Sequence, residues 1–395
     1  MKVRRILAGV VGVMAIASVT VFGATSSASV TKSAKIASTC TAHIAIEGPF
    51  TGPVAQLGLE QLHFAELAVA NDNKSLGIHV TLAQDDTQLT PSIATTKTQA
   101  IISSNAVAVI GPSGSQEVLA VGPLLAKAGL AAISGSATDP VLTTNGKDGT
   151  FFRVVATDAI QGPQDANYII KVLKPKAVLL INDEEAYSTG LEAVMTPILE
   201  KAGITVNNQG INGTDTGATL ANDISSLVTS QLNSSETVTL MPIQEALDAQ
   251  QFAETAKQQG KVTTVFGTDG TDSPTQFNFP GSYVSNFAPD ISTVQSALDK
   301  SLVSGVAKYG PYGAFGVPSY EAADVEMRAI ASVCSAGKTP TRANVLAAIR
   351  KTDIPASKNP LGELIKFKPD GDLVKSQFYL FHINAAGKYI QIPTS

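Results

Sequence analysis

Short β-branched apolar runs alternate with helix-period segments along almost the whole chain, and this alternation restricts the fold more than any other feature. His43 to Ile46 reads as a strand, Val54 to Ala70 as a helix, Ile78 to Gln84 as a strand and Pro91 to Ser103 as a helix. Val107 to Gly111, Glu117 to Lys127 and Leu130 to Ser134 continue as strand, helix and strand. Strands joined through helices pair in parallel, so the pattern predicts a sheet covered by helices on both faces.

A second series opens after Phe151 to Thr157. Ala177 to Asn182, Ile204 to Gln209, Thr237 to Leu240 and Thr263 to Phe266 read as strands, and Tyr187 to Ala202, Ala218 to Ser230 and Gln244 to Gln259 as helices. Beyond Pro289 the pattern predicts helices over Val294 to Val306, Tyr320 to Ala336 and Arg342 to Lys351. A hairpin is expected to follow, with Asp370-Gly371 turning between Leu364 to Phe367 and Phe378 to Phe381. The 395 residues exceed what one core usually supports, so the expected fold class is α/β, in two doubly wound lobes, each with its own parallel sheet.

The N-terminus carries Lys2, Arg4 and Arg5, then an apolar run from Ile6 to Phe22, then small residues through Ala28. That order is expected for a secretory signal peptide over residues 1–28, with an uncleaved anchor as the alternative. The mature protein is then expected to be exported and soluble, in a periplasm or at the cell surface. The net charge of −5 becomes more negative once those basic residues leave, and an acidic surface argues against nucleic acid as a partner. The two cysteines, Cys40 and Cys334, lack metal-ligand spacing. One long-range disulfide, two buried free thiols, or lipid modification of Cys40 are all open at this stage, although Thr39 is a poor neighbour for the last.

In open α/β sheets ligands sit outside the carboxyl ends of the strands, so the residues just after strands matter most. Gly111-Pro112-Ser113-Gly114-Ser115-Gln116-Glu117 leads from a strand into a helix whose start offers free N–H groups to a carboxylate; ordinary helix capping is the plainer reading. Ser134-Gly135-Ser136-Ala137-Thr138-Asp139-Pro140 follows the next strand and could converge on the same anion, or simply make a turn. In the second series Gly267-Thr268-Asp269-Gly270 places a carboxylate at a strand end, as a turn residue or as a counter-charge for an ammonium. Tyr187 is either a packing aromatic or a wall of the site.

Taken in order, these residues resemble the leucine/isoleucine/valine-binding branch of the type I periplasmic solute-binding proteins, from about Cys40 to about Lys388. The resemblance is carried by Gly52-Pro53-Val54-Ala55-Gln56 with Gly58, Asp85-Asp86, Ile110-Gly111, Ala137-Thr138 with Pro140, and Gln161-Gly162-Pro163. Tyr187, Gly313-Ala314-Phe315, Tyr320 and Gly371-Asp372-Leu373 extend it. It implies two lobes joined by hinge strands, residues 41–157 with 288–373 and residues 158–287 with 374–395, crossing near Thr157, Asn286 and Val374. It implies that Ser115, Ser136 and Thr138 take a ligand carboxylate, that Tyr187 lies across the cleft, that Asp269 faces the ammonium and that Phe315 touches the ligand side chain. Leu57 stands where leucine-binding members carry an aromatic residue, Asp269 replaces a Glu, and Glu245 falls near an aromatic contact. Because Cys334 lies late in a helix that the resemblance assigns to the lobe of Cys40, it also implies a disulfide between them.

The expected function is capture of an amino acid or similar solute by a monomer that delivers it to an ABC permease, with no cofactor and no metal. An exported sensor feeding a signalling receptor is the alternative, since fold alone does not separate the two. An enzyme is not expected. The sequence has no nucleophile elbow, dinucleotide glycine fingerprint or phosphate loop, and His43, His63, His79 and His382 read as structural.

Overall fold

The computed structural model describes residues 40–144, 149–213, 215–232, 237–292 and 296–393. The expected signal peptide, and the expected helix start at Val294, lie outside them. Among the described residues no helix is long and apolar enough to cross a membrane.

The first series runs β1 (Thr41–Gly48), α1 (Ala55–Leu76), β2 (His79–Asp86), α2 (Pro91–Ser103), β3 (Ala108–Ile110), α3 (Ser115–Ala128), β4 (Ala131–Ser134), a short α4 (Val141–Thr144) and β5 (Phe151–Arg153). Its strands lie in the order β2-β1-β3-β4-β5, every neighbour parallel. Local chemistry sets the bounds. Pro91 opens α2, where its missing N–H costs nothing, and Gly77 and Gly129 end α1 and α3 in left-handed conformation.

The second series contains α5 (Asp158–Tyr168), continued by a π-helical turn over Ile169–Leu173, then β6 (Ala177–Asn182), α6 (Ala186–Lys201), β7 (Thr205–Gly210), α7 (Gly217–Gln231), β8 (Thr237–Met241), α8 (Ala246–Gln258), β9 (Thr264–Gly267) and β10 (Tyr283–Asn286). The helices α9 (Ala297–Val306), α10 (Gly316–Ser335) and α11 (Arg342–Ile349) follow, and the strands β11 (Tyr379–Ile383) and β12 (Tyr389–Ile392) end the chain's regular structure. The second sheet has seven strands in the order β12-β11-β10-β9-β8-β6-β7.

Strands β10, β9, β8, β6 and β7 pair in parallel as expected, and β11 runs antiparallel to both β10 and β12. One expectation about this sheet is corrected. The expected hairpin is absent: residues 364–367 form only single bridges, Ile354 with Ile365 and Phe367 with Leu373, while Tyr379–Ile383 pairs with β10 and β12. The apolar alternation there reports burial correctly, but the partner strand β10 lies far back in sequence, where a local pattern cannot point.

The helices after β10 return to the first sheet. Almost all of α10 is buried, and it packs along α1 and against β3 and β4. Gly316 allows that approach, since a Cβ there would sit 2.3 Å from the Phe64 ring. Ile44, Ile46, Phe64, Ile110, Ile133, Phe315 and Ile330 share one core with Phe287 and Phe378. Cys40, just before β1, is bonded to Cys334 near the end of α10, with Cα atoms 5.8 Å apart and 294 residues between them in sequence. The bond restricts the unfolded chain, so replacing both cysteines by serine should cost about 2–4 kcal/mol in a urea titration. An unchanged unfolding midpoint and slope would show that the bridge adds nothing to stability.

Candidate functional site

Parallel pairing points the carboxyl ends of β1, β3 and β4 the same way, and the loops leaving them meet those leaving β6, β8 and β9. Between the two groups lies a cavity of about 30 Å³, walled by Leu57, Gln61, Ser113, Ser115 and Ser136 on one side and by Tyr187, Gln244, Asp269 and Gly270 on the other, with Phe315 closing it. Of the residues expected to hold a ligand, Ser115, Ser136, Tyr187, Asp269, Phe315 and Leu57 line it. Thr138 does not. Its carbonyl accepts the Asp158 N–H at 3.1 Å, which turns the residue into the protein behind the wall. Glu245 is not in this wall but lines an adjoining cavity of about 310 Å³ with Asp183 and Glu185, which shares Val54, Leu89 and Gln244 with the first.

The first side is a surface of hydroxyls and backbone. Gly111 turns the chain after β3 at φ +107°, and a Cβ there would lie 2.5 Å from the Glu47 carbonyl, so only glycine fits. The chain then enters α3, where the Glu117 carboxylate accepts the Gly114 N–H at 2.9 Å. This leaves the N–H groups at the first turn, next to Ser115, as the donors that an anion at the helix start can use. Ser113 and Ser136 hydroxyls reach the Gln61 amide oxygen at 3.0 and 3.4 Å, and Ser136 donates to the Ser113 carbonyl at 2.8 Å. Arg153, fully buried, ties the loop after β4 in place: it donates to the carbonyls of Ala137 and Asp139 at 3.0 and 2.8 Å and pairs with Asp372 at 2.7 Å.

Asp269 dominates the second side. Its Oδ1 accepts from Gln161 at 2.6 Å and from the Tyr187 hydroxyl at 2.7 Å, and the same hydroxyl lies 2.7 Å from Thr268. Gln161 also donates to Ser285 at 3.0 Å, and Ser285 to Asp165 at 2.5 Å. Burial pushes the Asp269 carboxyl up to about 6, against the lowering effect of Tyr187 and Gln161. Asp158 and Asp165 are raised well above the ordinary range, first by burial and then, among other effects, by the charge of Asp269. No lysine or arginine lines this cavity. The arrangement therefore pairs an anion-accepting helix start with an acidic wall, and suits a small zwitterion whose two charges lie on opposite ends.

Gln161 appears in the sequence only as part of a family motif, and Gln61, Ser113, Gln244 and Arg153 were not singled out as site residues. Gln61, Gln161 and Gln244 reach the site from mid-helix or loop positions with no periodic signature, so the fold alone assembles them. Gln116 donates to Gln244 at 2.9 Å, a direct link between the two sides.

Fold and site together define a two-lobed α/β binding protein with its ligand cavity between the sheets. The chain belongs to the periplasmic binding protein family, whose profile matches residues 41–388. Members similar to it are binding proteins rather than enzymes. It is 30% identical to the Leu/Ile/Val/Thr-binding protein of Salmonella typhimurium over 41% of this chain, a match that spans 45% of that relative's length. It is 28% identical to the Leu/Ile/Val-binding protein BraC3 of Rhizobium johnstonii over 88% of this chain and 92% of the relative. The structure of LivJ, a branched-chain amino acid transporter substrate-binding protein of Streptococcus pneumoniae solved with isoleucine, superposes with a TM-score of 0.75 at 21% identity, covering 89% of this chain and 100% of that one.

The raised carboxyls give opposite pH trends for binding and for stability. Any cationic group held by Asp269 needs the carboxylate ionised, so affinity for such a group should fall as pH drops through about 6. The unliganded fold behaves in reverse. Glu117 is held at about 7 and Glu47 at about 8, so with Asp269 they bind protons more tightly folded than unfolded. Their contribution to stability is fully present below the unfolded values of about 4 and is lost as pH rises through the folded ones. Thermal unfolding of the empty protein should therefore occur at a higher temperature at pH 5.5 than at pH 8, while calorimetric affinity runs the other way. A melting temperature that climbs over this range would contradict the assignment.

Proposed function

We propose that this protein captures an α-amino acid, or a small solute carrying the same pair of charges, outside the cytoplasmic membrane and delivers it to an ABC importer. It does so as an exported monomer, without cofactor or metal. The observation that carries the reading is Asp269, a buried carboxylate facing the cavity opposite the start of α3, with no cation of the protein beside it. A desolvated carboxylate that has hydrogen bonds but no counter-charge is costly, and a ligand ammonium would reduce that cost. The names of the relatives, which bind leucine, isoleucine, valine or threonine, support the amino-acid class. Ser115 and Ser136 then hold the ligand carboxylate, Tyr187 orients Asp269, and Phe315 and Leu57 bound the side chain.

The lobes, residues 41–157 with 288–373 and residues 158–287 with 374–395, part and close about crossings near Thr157, Asn286 and Val374. The volume of the cavity supports this: about 30 Å³ has room for about two water molecules, so a solute enters only when the walls separate. Ligand that contacts both sides favours the closed state. Small-angle scattering should show the radius of gyration fall on saturation with the solute. A radius that is the same with and without ligand would count against closure.

Asp269→Ala should keep the fold, because the residue lies just beyond a strand end, and should weaken amino-acid binding by about 30-fold to several-thousand-fold. Ser115→Ala should cost less, since backbone N–H groups still hold the carboxylate. Calorimetry against amino acids, their amides and carboxylates lacking the amine reads both effects. Preference for solutes without an amine, or wild-type affinity in Asp269→Ala, would overturn the amino-acid reading. Native mass spectrometry of freshly purified protein would name the solute by its mass.

A further inference from the structure

A second cavity, of about 250 Å³, lies behind Leu57, the one residue it shares with the wall already described. Its sides come from α1, from the 309–313 loop ahead of α10 and from the 272–275 turn after β9. Glu60 and Asp272 both face it, and no lysine or arginine lines it. Glu60 accepts the N–H groups of Gly313 and Gly316 at 2.7 and 2.6 Å. Asp272 is 1% exposed, and only its Oδ2 is engaged, by Asn286; its Oδ1 is buried with no hydrogen-bond partner. Gly313 packs directly against that oxygen: a Cβ on residue 313 would sit 2.9 Å from it. The Tyr312 hydroxyl, also lining the cavity, is a second buried polar atom without a partner.

The remaining walls combine aliphatic residues, among them Leu57, Leu59 and Val306, with aromatic ones. Tyr312 meets Phe64 edge to face at 5.6 Å between ring centres, and Tyr309 stacks on His63 at 3.6 Å. Lys308 covers the Tyr309 ring from 4.5 Å but does not line the space. Burial, and then the charge of Glu60, push Asp272 up to about 8, and burial pushes Glu60 up to about 7. Among the described residues no group of three or more His, Cys, Asp or Glu could hold a metal ion. Two carboxylates, an unpartnered carboxylate oxygen and the neighbouring Tyr312 ring are instead chemistry that suits an organic cation.

We propose that this cavity is a binding site for an alkylammonium group, held by Asp272 Oδ1 and Glu60 and bounded by Tyr309 and Tyr312. The group belongs either to a separate amine or to the far end of a long ligand whose other end lies beyond Leu57. The inference goes beyond the proposed function: a separate amine binds whether or not an amino acid does, while the long-ligand form rests on that reading and is told apart by the propylammonium arm of the test.

Calorimetry on the full chain, with propylammonium, lysine and isoleucine as probes and potassium chloride at equal ionic strength as control, tests it. Propylammonium or lysine should bind saturably, and Asp272→Asn should weaken that binding by about tenfold or more while isoleucine titrations stay unchanged. Gly313→Ala, which covers Oδ1 without changing charge, should give the same loss and serves if Asp272→Asn fails to fold. Propylammonium binding alongside isoleucine identifies a separate amine; lysine binding with no propylammonium binding identifies one long ligand. If neither cation binds more tightly to wild type than to both variants, the site does not exist.

Discussion

Parallel pairing of β1 with β2 on one edge and β3 on the other is the constraint from which the site follows. Parallel strands cannot be joined by tight turns, so their connections must cross back over, usually through a helix, and parallel neighbours end on the same side. Loops that would otherwise be scattered are thereby gathered at one end of each sheet. The five-stranded sheet delivers Ser115 and Ser136 there and the seven-stranded sheet delivers Asp269 and Tyr187. Nothing in the loops themselves encodes this convergence. It is a property of strand direction.

The electrostatics of the cleft are one-sided. Helix α3 presents its start, which attracts negative charge, while Asp158, Asp165 and Asp269 crowd behind the opposite wall with only Arg153 near, and that arginine is engaged with Asp372 and two carbonyls. A protein selected for stability alone would replace such carboxyls with apolar groups, since isolated buried charges rarely repay their desolvation. Of the three, only Asp269 lines the cavity, with Asp158 and Asp165 buried behind it, so the cost of burial is concentrated at this wall.

Most of the fold was legible because its elements are long and their periods unambiguous. Pro91–Ser103 and Ala177–Asn182 match their expected bounds, one opened by proline and the other a run of apolar residues. The errors fall where the partner is remote: β11 looks like half of a local hairpin yet pairs with β10, nearly a hundred residues earlier. The site divides in the same way. Serines after β3 and β4 and the aspartate after β9 are visible because position relative to a strand end is a sequence property. Thr138 shares that position and still misses the cavity; its carbonyl accepts the Asp158 N–H, a contact that residue type does not announce. Gln61 and Gln161 are invisible for a different reason: a glutamine on a helix carries no mark of which lobe it will face.

The bond between Cys40 and Cys334 has a consequence for assembly order. A chain that emerges N-terminus first makes Cys40 among the earliest residues of the fold, yet the sulfur that it needs arrives only after β6 to β10 have passed. The core around β1 is in the same position, because α10, which covers β3 and β4, also comes late. The strands β6 to β10 are contiguous in sequence and can pair while the rest is still unmade. During synthesis the middle of the chain can therefore take shape before its beginning, and the first-made strands must stay open until the final third returns to close them.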